Sequence, residues 1–199
     1  STLMEELTIK AYTRKDKPLN SMASVSARSF TVEETRRYAG GVDDPARLAS
    51  AFAGVSVGNI QDNAIIIRGN SPKGVSWRLE GVEIPNPNHF SGGNVAGGGF
   101  VTIFSSQLLA NSDFFTGAFP AEYGNALAGV FDMKLRNGNR EKREHTVQAG
   151  ILGIDISSEG PFKKDGKSSY LFNYRYSTMG LISDLGVLPS DQIPRYQDL

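Results

Sequence analysis

The most constraining feature of this sequence is the short apolar run from Ala64 to Ile67 (AIII), which is followed at once by turn-forming residues. β-Branched residues in so short a run favour a buried strand over a helix. A second run, Val75 to Glu80, alternates apolar and polar side chains, and Gly, Asn, Pro and Lys separate the two runs. The pattern therefore predicts a strand, a loop and a second strand.

Arg68 directly follows the three isoleucines of the first run. A guanidinium in apolar surroundings needs a carboxylate or carbonyl partner, so one hypothesis is that Arg68 is paired. The other is that Arg68 only marks the point where the strand reaches water. Periodicity alone favours the second hypothesis.

Composition excludes several classes of protein and site. Lys plus Arg and Asp plus Glu both number 21, so the chain has no net positive charge that would favour a nucleic-acid partner. The chain has no Cys, which rules out disulfides and thiolate metal sites. Metal-ligand spacing is also missing around Asp43, Asp44 and His89, and no cofactor is predicted.

The segment Gly54 to Gly58 (GVSVG) matches the nucleophile-elbow pattern of hydrolases. That motif needs a strand before it and a helix after it. Here a helical pattern precedes the motif and a polar loop is predicted to follow it. His89 and His145, the only histidines, are not in a setting typical of a general base. We therefore predict that the chain is not an enzyme.

The other elements before residue 140 follow from apolar periodicity and turn signals. Phe100 to Leu109 is a short apolar element, for which a helix is favoured over a strand. Gly129 to Arg136 predicts a strand with one packed face, formed by Phe131, Met133 and Leu135. Further predicted elements are an edge strand at Leu7–Thr13, a strand at Val25–Phe30, helices beginning at Thr31 and at Asp44-Pro45, and a strand at Asp113–Thr116.

The pattern changes after the charged segment Arg140 to Glu144, and a domain boundary is predicted there, between residues 1–139 and 140–199. Two short strands on either side of Leu152-Gly153 predict a hairpin. Ser168 to Ser177 then alternates an aromatic face with a polar one, which is typical of a membrane-barrel strand. On the residues alone, a strand of a soluble sheet is at least as well supported. The aromatic face holds Tyr170, Phe172, Tyr174 and Tyr176, and the polar face Ser169, Asn173, Arg175 and Ser177.

Two passages, in the right order, resemble the plug domain of TonB-dependent outer-membrane receptors. The first is Ile67-Arg68-Gly69, followed by Leu79-Glu80-Gly81, which resembles the "IRG" and "DG" strands of that family. The second is Ser112 to Met133, which resembles the passage with a Tyr-Gly pair that closes the plug. Together they cover most of residues 7–139, and the chain is most similar to the SusC-like branch.

The resemblance implies an α+β fold: a plug domain with a mixed sheet of about four strands and short helices, followed by a few antiparallel strands of a truncated transmembrane β-barrel. A barrel of about 22 strands does not fit into the residues after the plug. The chain is therefore expected to hold a plug and an incomplete start of the barrel wall. Open strand edges of that kind favour self-association.

The resemblance also implies a function: the gate of an energy-coupled importer in the outer membrane, reached from the periplasm. The cargo would be a glycan, a peptide or a metal chelate. Expected partners are the energy-transducing protein TonB, the chain's own barrel and a SusD-like surface lipoprotein. The alternative function is a soluble secreted β-rich adhesion or carbohydrate-binding module.

Individual residues take roles from the same resemblance. Arg68 matches the plug arginine that pairs with barrel glutamates, whereas the second plug arginine of the family is absent, because Thr116 stands in its place. The loops after the IRG and DG strands would face the cargo. Their predicted cargo-facing residues are Asn70, Ser71, Pro72, Lys73, Asn86, Asn88, His89 and Phe90.

Overall fold

The computed structural model describes residues 18–22, 26–30, 44–59, 62–92, 96–150, 153–164, 166–186 and 194–199. The predicted strand at Leu7–Thr13 and the predicted helix that begins at Thr31 lie outside these residues. Within the described ranges, no helix has the length and apolar character needed to span a membrane. The described strands form three sheets.

The largest sheet has five strands: β1 (Ala27–Phe30), β4 (Val75–Leu79), β5 (Val82–Ile84), β6 (Ser112–Phe115) and β7 (Gly129–Met133). Their order across the sheet is β1-β6-β7-β4-β5. β4 and β7 run parallel, and the other neighbouring strands run antiparallel. The predicted mixed sheet is thus confirmed, with five strands.

The central strand β7 is buried on both faces, so the prediction of a single packed face was wrong. One face carries Phe131, whose ring lies 5.1 Å from both Phe30 and Trp77. On the other face Val130 packs with Phe115 and Tyr123 in a second apolar cluster. A strand with neighbours on both sides and cover on both faces has no free polar face, as is usual next to a parallel strand.

A two-stranded sheet of β2 (Val55–Asn59) and β3 (Asp62–Ile67) lies against the same core. A short helix, α1 (Pro45–Leu48), and a 3-10 turn, Ala49–Ala51, precede it. β2 was not predicted. Because the GVSVG segment lies within this antiparallel pair, it does not form the strand–turn–helix geometry of a nucleophile elbow.

The segment Phe100–Leu109 forms turns and isolated bridges rather than the predicted helix. Its backbone groups bond to distant parts of the chain: Phe100 N donates to His89 O at 2.8 Å, and Thr102 N donates to the Asp44 carboxylate at 2.9 Å. These tertiary hydrogen bonds take the place of the bonds between successive turns that would hold a helix. The apolar spacing alone therefore gave a wrong prediction.

A third sheet contains four strands: β8 (Glu144–Ala149), β9 (Ile154–Pro161), β10 (Ser169–Tyr176) and β11 (Gln197–Asp198). Their order across the sheet is β11-β10-β9-β8. The predicted hairpin and the predicted aromatic strand are both confirmed, because β9 pairs antiparallel with β8 and with β10. Helix α2 (Thr178–Asp184) follows β10, and the Ser177 side chain accepts from Gly180 N at its start.

The four-stranded sheet has a polar buried face and an apolar exposed face. Cross-strand register puts Arg175 beside Asp155, and Asn173 beside Ser157, on the face that is turned inward. On the opposite face, Tyr174 pairs with Ile156 and Ile156 with Val147. Val147, Ile156 and Phe172 are 73%, 44% and 47% exposed, respectively.

Candidate functional site

A cavity of about 420 Å³ lies between the two predicted cargo loops, which the fold brings together. Pro72 and Lys73 line it from the first loop, and Asn86 lines it from the second. Gly97 allows the loops to approach, because a Cβ atom there would lie 2.5 Å from Lys73 N and its φ is +87°. Only glycine fits both conditions without strain.

The lining of this loop cavity combines charges of both signs with an apolar wall. Lys73 supplies an exposed cation, and the Glu83 carboxylate accepts a hydrogen bond from Asn125 Nδ2 at 3.1 Å. Trp77 contributes apolar surface and is itself fixed by stacking on the core. Ser76 also lines the cavity, and its buried hydroxyl has no hydrogen-bond partner among the described residues. This arrangement suits a small polar ligand that offers both donors and acceptors.

The second loop is held in shape by buried amide side chains. Asn88 Oδ1 accepts from Asn63 Nδ2 at 2.9 Å, and Asn88 Nδ2 donates to Asn86 Oδ1 at 2.7 Å. Asn86 Nδ2 in turn donates to Gly98 O at 2.7 Å. Asn88 is only 5% exposed, so its side chain shapes the loop from within. Phe90, in contrast, is 52% exposed at the surface of the loop.

Asp44 is buried, and its carboxylate accepts a hydrogen bond from Asn63, which joins it to these amide side chains. Its carboxylate accepts four hydrogen bonds: two from Thr102, at N and Oγ1, one from Asn63 Nδ2 and one from Ala46 N. The sequence predicted the helix cap but not the other three bonds. No cluster of three potential metal ligands occurs in the described part of the chain. Asp44 therefore joins α1, β3 and the Thr102 segment by hydrogen bonds.

His89 connects the second loop to the four-stranded sheet. Its Nε2 lies 2.6 Å from Asp198 Oδ1, and its ring stacks on Tyr196 with centroids 4.7 Å apart. The other carboxylate oxygen of Asp198 accepts from Arg175 Nη2 at 2.6 Å. Arg175 also donates to Thr102 O, so the loop, strand β10 and the Asp44 network form one connected polar system.

Further polar contacts join the five-stranded and four-stranded sheets. Arg136 makes a bidentate pair with Glu159, with Nη1–Oε2 and Nη2–Oε1 distances of 2.7 and 2.9 Å. Ser105 donates to the Asp155 carboxylate. Charge-assisted and bidentate bonds of this type fix orientation as well as adding stability. These polar contacts thus join the residue stretch after β7 and the Phe100–Leu109 segment to β9.

Tyr123, from the second motif, contacts Asp132 of β7 and Arg78 of β4. Its hydroxyl donates to Asp132 Oδ2 at 3.1 Å, and the Arg78 guanidinium lies 4.7 Å from its ring centroid. Burial raises the pKa of Tyr123 to about 12. Burial also raises the pKa of Asp113, which stands opposite Asp132 in the strand register, although Leu19 N and Asn20 N donate to it.

Arg68 is exposed at the end of β3 and has a positive φ of +50°. Its Nη2 lies 3.5 Å from Ser26 Oγ, and its side chain passes close to the backbones of Gly54 and Gly117. It makes no salt bridge with a carboxylate among the residues described here. The strand therefore reaches water at Arg68, and the guanidinium is available at the surface.

The fold has counterparts among solved structures. The pyoverdine outer-membrane receptor FpvA of Pseudomonas aeruginosa matches with a TM-score of 0.54 at 16% identity, over 78% of this chain and 22% of its own. A variant of the ferric enterobactin receptor PfeA of Pseudomonas aeruginosa matches with a TM-score of 0.50 at 15% identity, over 80% of this chain and 26% of its own. By sequence alone, neither a family model nor a curated protein matches.

The fold is that of a TonB-dependent receptor plug. The mixed sheet and short helices form the plug fold, and among the described residues the antiparallel strands that follow form an open four-stranded sheet. At 15–16% identity the likeness concerns the fold alone. The chain spans about a quarter of the length of these receptors.

Proposed function

We propose that this chain is the plug domain of a TonB-dependent outer-membrane receptor, together with the first strands of its barrel. The observation that carries the proposal is the four-stranded sheet. Its polar face packs against the plug fold, and its apolar face exposes Val147, Ile156 and Phe172. A wall strand between lipid and a polar lumen needs this arrangement. The chain is then a gate for nutrient import, located in the outer membrane, and not an enzyme.

The division into residues 1–139 and 140–199 gives each part a role. The first part is the gate, which TonB displaces from the periplasmic side, and the second is wall. Hydrogen bonds such as Arg136–Glu159 and Ser105–Asp155 hold the gate to the wall. Polar contacts suit a part that must move, because water can replace each lost bond.

The loop cavity is the proposed cargo contact of the plug. Of the predicted cargo-facing residues, Asn70, Ser71, Lys73 and Phe90 are exposed, Pro72, Asn86 and His89 are partly exposed, and Asn88 supports the loop from inside. The cargo is a small glycan, peptide or metal chelate. The matched receptors include one for ferric enterobactin and one bound to pyoverdine, which keeps a chelate among the candidates.

The proposal includes three further partners: the barrel, a SusD-like lipoprotein and a second copy of the chain. Arg68 pairs with glutamates of the barrel, because its guanidinium is exposed at the surface. A SusD-like lipoprotein covers the receptor if the chain is of the SusC-like branch. β8 lies at the edge of its sheet, so two copies of the chain can associate through it when no further strand is present.

Flotation with lipid vesicles tests the membrane assignment. The protein should float, and the triple variant Val147→Ser, Ile156→Ser, Phe172→Ser should remain in the soluble fraction. The matched control removes three exposed apolar side chains outside the four-stranded sheet: Met22→Ser, Val82→Ser and Leu127→Ser. The control should still float. Equal loss of flotation in both variants, or no flotation of the parent, would favour the soluble adhesion module instead.

A further inference from the structure

A row of polar side chains crosses one face of the five-stranded sheet. Strand register places one residue of every strand in this row, and residues paired in register share a face. Its two central carboxylates, those of Asp113 on β6 and Asp132 on β7, are only 3% and 7% exposed. Neighbouring carboxylates with so little access to water need hydrogen-bond donors from the protein. In the order of the strands across the sheet, the row is Ser29, Asp113, Asp132, Arg78 and Glu83.

The donors for Asp113 come from residues 18–22, a segment outside the described strands that we call the strap. Leu19 N donates to Asp113 Oδ1 at 3.0 Å, and Asn20 N donates to Asp113 Oδ2 at 2.9 Å. Each carboxylate oxygen therefore binds one of two successive backbone N–H groups. Burial raises the pKa of Asp113, and these two hydrogen bonds oppose the rise. The strap thus stabilises the charged form of a buried carboxylate.

The Asn20 side chain extends the contact of the strap beyond Asp113. Its Nδ2 donates to the Tyr123 hydroxyl at 3.2 Å and to the Glu122 carboxylate. Its Oδ1 accepts from Met22 N at 2.9 Å, a turn that shapes the strap itself. Because the Tyr123 hydroxyl also donates to Asp132, the strap, Tyr123 and both central carboxylates form one hydrogen-bonded group.

The attachment of the strap depends on these polar contacts more than on apolar burial. Leu19 and Met22, the apolar residues of the strap, are 54% and 76% exposed. Every described hydrogen bond that joins the strap to the rest of the chain ends on a side chain, that of Asp113, Glu122 or Tyr123. Water can replace bonds of this kind at a surface that becomes uncovered. The strap can therefore detach without any opening of the aromatic core of the sheet.

We propose that residues 18–22 form a detachable strap that Asp113 holds on the sheet, and that the strap leaves as one unit while the five strands stay folded. Because the strap precedes β1 in the chain, a force applied from the N-terminal side reaches it before it reaches the sheet. Among the described contacts, those of the strap are then the first that TonB breaks. This last step rests on the proposed function, whereas the detachment does not. Flotation tests the first and hydrogen exchange the second, so the two can fail separately.

Hydrogen exchange of the backbone amides in the full chain, followed by NMR at increasing urea below the unfolding transition, tests the detachment. The Leu19 and Asn20 amides should exchange through one common opening, with equal protection that hardly changes with urea. The amides of β7 should be better protected and should lose protection steeply with urea, as global unfolding requires.

Two results would overturn the proposal. If the strap amides share the protection and the urea dependence of β7, the strap detaches only when the sheet unfolds. If they exchange as fast as in an unstructured chain, Asp113 does not hold the strap in place.

Matched variants separate the role of Asp113 from a general effect of charge. Asp113→Asn presents an amide nitrogen to one of the two strap N–H groups, and the protection of Leu19 and Asn20 should fall about 10- to 100-fold. The amides of β7 should remain better protected than the strap. Asp132→Asn removes the neighbouring carboxylate, which accepts from Tyr123 and not from the strap, and should leave the protection of the strap unchanged. An equal loss in Asp132→Asn, or no loss in Asp113→Asn, would show that Asp113 does not hold the strap.

Discussion

The five-stranded and four-stranded sheets of this chain follow opposite patterns. The five-stranded sheet encloses its aromatic rings: Phe114 and Phe131 are each 1% exposed. The four-stranded sheet encloses Asp155 and Asn173 instead and leaves Phe172 47% exposed. A sheet in water buries its apolar face. This difference is what the proposed function requires, with the first sheet in water or a protein interior and the second against lipid.

The largest effect should come from the same substitution made once in each sheet. Phe131→Ala removes a ring that contacts three aromatic neighbours and should lower the free energy of unfolding by about 3–5 kcal/mol. Phe172→Ala should change it by less than about 0.5 kcal/mol, because the side chain is half exposed. Urea unfolding measures both. Similar losses in the two variants would mean that both sheets bury their rings, and the contrast would be lost.

A buried carboxylate should matter more than an exposed one. Asp44→Asn places an amide nitrogen among four donors and should cost about 2–3 kcal/mol of unfolding free energy. The matched control is Asp184→Asn, whose half-exposed carboxylate pairs with Arg195 and should cost about 1 kcal/mol or less. Equal costs would show that the Asp44 network does not hold α1, β3 and the Thr102 segment together.

The polar contact between the two sheets can be measured by a double-mutant cycle on Arg136 and Glu159. Since the pair is bidentate and mostly buried, Arg136→Gln and Glu159→Gln should show a coupling of about 1 kcal/mol. Lys142 and Glu144, a pair at the surface, should show no measurable coupling. A coupling that is absent for Arg136–Glu159 as well would indicate that the sheets are not held together by this pair.

The smallest effect concerns the pH dependence of the five-stranded sheet. Burial raises the pKa of Asp113 above 3.8, so the folded state keeps this proton at a pH where the unfolded state has lost it. The stability that Asp113 contributes is therefore greatest below the unfolded pKa, and it falls as the pH rises toward the folded one. The difference in unfolding free energy between the parent and Asp113→Asn should thus change as the pH rises from below 4, and it should be constant near pH 7. The opposite trend would contradict the raised pKa.

The sequence predicted the elements that depend on local patterns. Three isoleucines in succession indicated β3, and the alternation around Tyr174 indicated β10, because side-chain period and burial agree there. Pro45 after an acidic residue indicated α1. The sequence also showed that β10 has one aromatic face and one polar face. It did not show which of the two faces is buried, because that depends on what packs against the sheet.

Features that depend on contacts between distant residues could not be predicted from the sequence. β2 (VSVGN) has only five residues and includes Gly58, and it forms because β3 pairs with it. The Phe100–Leu109 segment has helical spacing, but its backbone bonds to His89 and to Asp44. Asp44 was recognised only as a cap, because no local signal marks the three hydrogen bonds that Asn63 and Thr102 donate to it.

Spin labels test most directly whether the outer face of the four-stranded sheet meets lipid. The chain has no Cys, so Val147→Cys, Ile156→Cys and Phe172→Cys can each carry a single nitroxide, with Val82→Cys and Leu127→Cys as exposed positions elsewhere. In lipid vesicles, the first three labels should collide more with oxygen than with a water-soluble nickel chelate, and the last two should do the reverse. Labels at 147, 156 and 172 that are as accessible to the nickel chelate as those at 82 and 127 would contradict the account.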